Sequence, residues 1–223
     1  MPHHRRLLWL SGTCLFGFAV LLGLVVAGAG VTTVDAWVQH SVDAHRNQTL
    51  TTACRYLTDV LQPAVDALLL AAGALLLARS RRRLLPLVAG GFVGWVMAVV
   101  VIATKHGVGR PAPHPGSSGD GLSFPSGHTA SVLVCLGTLA LLTRLWRPRW
   151  TRRLLAAVGV LTLLVAAALT YDNFHWLSDC VASILLGVGL LALLDRWLHH
   201  HLDPAPPEHR PSERRVALSR RTE

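Results

Sequence analysis

The chain has 223 residues, 52% of them hydrophobic and 15% charged, yet it carries a formal net charge of +9. Such apolarity excludes intrinsic disorder, and so few charges set the chain apart from soluble domains, in which about a quarter of residues are charged. A basic chain can bind nucleic acid only if its cations cover a water-facing surface, so the reading turns on where the charges lie.

In chain order, six long apolar runs stand out: Leu7 to Val26, Leu61 to Ala78, Leu84 to Thr104, Ser126 to Trp146, Leu154 to Tyr171 and Leu177 to Leu198. Each is long enough to cross roughly 30 Å of hydrocarbon at about 1.5 Å per residue. The first run follows His3, His4, Arg5 and Arg6, as a signal peptide would, but it is long for a signal core and lacks a convincing cleavage pattern. The second run carries Pro63 and Asp66 near its start, where a helix tolerates proline and a carboxylate lies close to the membrane interface. The two-residue alternation of a membrane β-barrel is absent. The expected fold is therefore all-α: a polytopic membrane protein with six transmembrane helices. Between the first two spans, Val34, Trp37, Val38 and Val42, then Leu50, Cys54 and Leu57, recur at helical spacing. They predict one or two short helices at the outer face, forming either a plain cap or a rim for lipid access. The glycosylation-type triplet Asn47-Gln48-Thr49 is too short a motif to carry weight.

Six spans sort the charges. Of 21 basic residues, 17 fall at the two ends of the chain and in the loops after spans two and four. Arg46, Arg55, Lys105 and Arg110 lie on the other side. By the positive-inside rule the richer side is cytoplasmic, with both termini inside a cell membrane. Net charge thus records topology, with some capacity for anionic headgroups at the inner leaflet, and no nucleic-acid partner is expected. Residues 1–198 read as one membrane domain. Residues 199–223, with Pro204, Pro206, Pro207 and Pro211, read as a basic, disordered cytoplasmic tail. The four cysteines form neither an evident outer pair nor a metal-binding spacing.

Chemistry concentrates in the outer segments. The stretch from Lys105 to Pro125 is rich in Gly and Pro, carries Lys105 and Arg110, and runs into Ser126-Gly127-His128 at the start of span four. A loop of that kind exposes backbone N–H groups, and a helix N-terminus favours phosphate. The third outer segment carries His175, with Asp179 four residues on, so the two share a helix face. A carboxylate on one imidazole nitrogen fixes the tautomer and leaves the other nitrogen nucleophilic. No acidic cluster is available for a divalent metal, and no cofactor is implied. The inventory suits metal-independent phosphoryl transfer at the outward face.

These residues resemble the type 2 phosphatidic acid phosphatase superfamily of membrane lipid phosphatases. Its second motif stands intact as Pro125-Ser126-Gly127-His128, and the His-x3-Asp of its third stands as His175 to Asp179. The resemblance implies that His175 attacks phosphorus, His128 protonates the leaving oxygen and Asp179 orients His175. Lys105, Ser126 and Gly127 would hold the phosphate. Two arginines of the family pattern are missing: their positions hold Ala112 and Leu169, while Arg110-Pro111 lies two residues early. Arg110 is expected to reach the phosphate from its shifted place. The implied activity is hydrolysis of a membrane lipid phosphate or diphosphate through a phosphohistidine. Polyprenyl diphosphate is favoured, with phosphatidic acid or phosphatidylglycerophosphate behind it. The alternative is a weakly active or noncatalytic binder of anionic lipid; a channel or transporter finds no support in a repeat or a charged mid-span row.

Overall fold

The computed structural model describes residues 3–114 and 121–202, so most of the predicted tail lies outside the described residues. Six long helices are apolar enough to cross a membrane. They are α1 (His3–Val26), α4 (Pro63–Arg81), α5 (Leu85–Val108), α6 (Gly127–Leu145), α7 (Pro148–Tyr171) and α8 (Leu177–Leu202). Two short helices, α2 (Val31–Ala44) and α3 (Gln48–Val60), fill the segment before α4. No strand occurs among the described residues; two extended pieces pair only at Pro111 and Leu122.

Local chemistry sets the boundaries. Asn47 caps α3, its side-chain oxygen accepting from Thr49 N and Leu50 N, which gives the triplet Asn47-Gln48-Thr49 a structural explanation. Proline in the first turn opens α4, α5 and α7, where its missing N–H costs nothing. The helix α5 runs past Thr104 to Val108 and stops at Gly109, whose φ of 62° suits a glycine cap. Lys105 therefore sits in the last turn of α5 rather than in the loop after it. The helix α8 likewise continues past Leu198 to Leu202, with His199 held near the Asp195 carboxylate at 3.2 Å.

The helix α6 is the centre of the bundle: 67% of its span is buried, against 22% for α1. Around it pack α4, α5, α7 and α8, while α1 lies along α8. Small residues let backbones approach, as is common between membrane helices. A Cβ on Gly187 of α8 would stand 2.6 Å from Leu133, and one on Gly137 of α6 would stand 2.5 Å from Leu191. Outward, α1, α4, α5 and α7 present Phe16, Leu76, Phe92 and Leu163 as an apolar surface suited to lipid. Between Val132 and Leu136 the α6 ladder widens into one π-turn, a feature often found beside functional sites.

Candidate active site

Three helix ends meet at one end of the bundle: the C-terminus of α5 and the N-termini of α6 and α8. Both N-termini are capped by residues of the sequence motifs. Ser126 Oγ accepts from Thr129 N at 3.3 Å, opening α6. Asp179, three residues after Trp176, reaches back to accept from Trp176 N at 3.0 Å, one half of a capping box that opens α8. Ser126 also joins the two helices. Its N–H donates to the Asp179 carbonyl at 3.3 Å, and its carbonyl accepts from Ser183 Oγ at 2.8 Å.

These ties bring most of the expected site residues together. Lys105, Gly127, His128 and His175 line one groove of about 800 Å³. Lys105 Nζ also donates to the Leu122 carbonyl at 2.7 Å, which fixes its side chain at the groove's polar end. His175 is 3% exposed, and its Nδ1 faces Asp179 Oδ2 at 3.5 Å. That separation is longer than a hydrogen bond, and catalytic contacts of this kind commonly tighten once substrate binds. With Nδ1 turned to the carboxylate, Nε2 is the nitrogen available to the groove.

Two expected phosphate ligands are placed differently. Ser126 is fully buried, its hydroxyl engaged as the α6 cap. Arg110 is turned away to two carboxylates: one terminal nitrogen donates to Asp179 Oδ1 at 2.6 Å and the other to Asp35 Oδ2 at 2.6 Å. Its guanidinium lies 5.1 Å from the Trp176 ring centre. The physical reason is the backbone around it. Ser123 N donates to the Arg110 carbonyl at 2.8 Å, and Ala112 N donates to the Gly121 carbonyl at 3.3 Å. The described ends of the Gly/Pro-rich segment are thus pinned to each other, which holds Arg110 in place. Leu169, at the second vacant arginine position, is fully buried against Val132, Val165 and Cys180.

Nothing local in the sequence marks Asp35, Asp172 or Asn173, and Asp66 reads there only as a carboxylate near the membrane interface. Asp172 is buried and accepts from Arg55 Nε at 2.9 Å. Asn173, in the left-handed region at φ 63°, donates from Nδ2 to Asp43 at 2.9 Å and accepts from Gln39. Hydrogen bonds from Asn173 and Arg46 hold the Asp43 carboxyl below its usual range. The helices α2 and α3 therefore buttress the turn that carries His175. Of the two roles open for them, a structural cap is the one these contacts describe. Asp66, on α4, is wholly buried and accepts from Ser131 Oγ at 2.6 Å, tying α4 to the helix of His128. Among the described residues no group of three or more His, Cys, Asp or Glu side chains is placed to hold a metal ion.

Beyond its polar end the groove is apolar. It runs between α4 and α5, lined by Leu70, Ala74, Gly91, Trp95 and Ala98, as far as Leu87. From Lys105 to Leu87 along α5 is about 27 Å at 1.5 Å per residue, close to the thickness of a hydrocarbon core. Gly91, Trp95 and Ile102 are exposed on the outside of the bundle, so this wall opens sideways.

Six apolar spans with a polar, two-histidine pocket at one end define a helical multi-pass membrane protein. The chain belongs to the PAP2 superfamily, whose family model matches residues 87–202. Among solved structures it is similar to the first transmembrane PAP2-type phosphatidylglycerolphosphate phosphatase from Bacillus subtilis. The match has a TM-score of 0.78 at 16% identity and covers 87% of this chain and 98% of that one. At that identity the likeness is one of fold. Comparison with curated proteins returns no match.

Proposed function

We propose that this protein hydrolyses a lipid phosphate or diphosphate through a phosphohistidine, without a metal. One observation carries the reading: a single groove joins Lys105, His128 and His175 to an apolar channel open to the side of the bundle. In the first step His175 Nε2 attacks phosphorus. The bond from phosphorus to the lipid oxygen breaks, and His128 gives that oxygen a proton. Lys105 and the Gly127 N–H, at a helix N-terminus, stabilise the charge on the phosphoryl oxygens. In the second step His128 takes a proton from water, the resulting oxygen attacks phosphorus, and the P–N bond breaks. Asp179 keeps the Nδ1 side of His175 protonated throughout.

The channel supports a substrate class. A length of about 27 Å suits a long chain, and the glycines at 90, 91 and 94 leave width for a methyl-branched one. We therefore favour polyprenyl diphosphate over phosphatidic acid and phosphatidylglycerophosphate. The site faces outward, with both termini cytoplasmic, because the arginine-rich loops lie at the opposite end. A weakly active or noncatalytic binder of anionic lipid is favoured by one observation: Arg110 is engaged by two carboxylates, and Ala112 and Leu169 supply no charge.

Phosphate release from the three lipids, in detergent with chelator, tests both readings. Wild type should release phosphate from at least one, and His175→Ala should lose at least a thousandfold. Silence from wild type with every lipid favours the noncatalytic reading. Activity surviving in His175→Ala rules out the phosphohistidine.

A further inference from the structure

We infer that Asp35 is a positioning residue: it holds Arg110 so that the guanidinium takes only Oδ1 of Asp179, leaving Oδ2 to the Trp176 N–H and to His175. The inference rests on the phosphatase reading above. Asp35 lies on α2, outside the residues matched by the family model.

The geometry is a closed set of buried contacts. Asp35 is 2% exposed. Its Oδ1 accepts from Ser178 N at 2.9 Å, and its Oδ2 accepts from Ser178 Oγ at 2.5 Å and from Arg110 at 2.6 Å. The other terminal nitrogen of Arg110 donates to Ser178 Oγ at 2.7 Å and to Asp179 Oδ1 at 2.6 Å. Trp176 backs the guanidinium and is itself fixed, its indole N–H donating to the Pro111 carbonyl at 2.9 Å. Asp179 Oδ2 accepts from Trp176 N at 3.0 Å and faces His175 Nδ1 at 3.5 Å.

A guanidinium prefers to grip one carboxylate with two parallel hydrogen bonds. Such a grip on Asp179 would add a charged donor to Oδ2, which already accepts from Trp176 N, and so compete with His175 Nδ1 for that oxygen. Asp35 prevents this by claiming the second nitrogen of the fork. It also binds the first turn of α8 through Ser178, so the carboxylate, the arginine and the helix that bears Asp179 are set by one side chain. Lysine could not replace Arg110 here, because a single ammonium lacks the planar fork that bridges two carboxylates.

The test is a double-mutant cycle on kcat, with histidine ring 15N NMR at fixed pH as a readout that needs no turnover. Asp35→Asn and Arg110→Ala should each lower kcat at least tenfold with KM within twofold, and the double variant should lose no more than the worse single. His175 should be one Nδ1–H tautomer in wild type and a mixture in both variants. If Asp35→Asn does not fold, Arg110→Lys carries the test, with the same loss and the same mixed spectrum expected. Additive losses, a rise in KM alone, or variants with wild-type kcat and spectrum would overturn the inference. If wild type releases no phosphate, the phosphatase reading fails and the spectrum alone decides the relay: a mixed one supports it, an unchanged one refutes it.

Discussion

The two ends of the bundle differ in how they hold charge. At the end away from His128 and His175, Arg79, Arg82, Arg83, Arg147, Arg149, Arg152 and Arg153 are exposed, while Arg144 pairs with Asp195 at 3.2 Å. At the other end the cations are few, and each is engaged. Arg46 pairs with Asp43, Arg55 with Asp172, and Arg110 with Asp35 and Asp179, while Lys105 donates to a backbone carbonyl. Exposed charges are screened by water and salt and say where a segment sits relative to a membrane. Arg46 and Arg55 stay exposed, whereas the Arg110 pairs are buried, and a buried, bonded charge holds geometry because removing one partner strands the other and costs about 3–5 kcal/mol. Exposed arginines such as the first group make the chain basic, whereas Arg110 holds Asp179 beside His175.

Three variants probe that division, from the strongest effect to the weakest. Lys105→Ala removes a cation that lines the groove with the two histidines and should lower kcat/KM for any accepted lipid by roughly 10²–10³, the usual cost of one preorganised charge donor. A loss under tenfold would mean that the working end does not depend on this groove-lining cation. Gly91→Leu fills the open wall of the channel while leaving the polar end untouched. It should lower kcat/KM about tenfold for a long-chain lipid phosphate and leave a short-chain analogue within twofold. Equal losses on both would show that the channel does not seat the chain. The paired change Arg152→Gln with Arg153→Gln, at the far end, should leave kcat/KM in detergent within twofold. A larger loss would break the separation between topology charges and site charges.

What the sequence makes legible follows from the range of each interaction. The spans are legible because burial in lipid demands a continuous apolar run, and α1 and α4 to α8 each contain one. His128, His175 and Asp179 are legible because their relations are local: a cap, a helix start, an i and i+4 pair. Arg110 is misread for the opposite reason. Its residue type and its Gly/Pro surroundings suit a phosphate, but its partners are Asp35 and Asp179, 75 and 69 residues away. Asp35 itself has no local signature. It is one acid in an amphipathic helix, and only the fold brings it beneath the first turn of α8. Leu169 shows the same limit in reverse. A vacant arginine position could have been a polar gap, and tertiary packing makes it core.

The sideways opening between α4 and α5 changes what concentration means at this site. A lipid that enters there arrives by two-dimensional diffusion, already oriented, with its chain never exposed to water. Occupancy of the groove then follows the substrate's mole fraction in the leaflet and is indifferent to the volume of the surrounding solution. After cleavage the two products part by phase: the phosphate into water, the lipid remainder back into the bilayer. Dilution into water carries the phosphate away from the site, so the two products seldom meet there again.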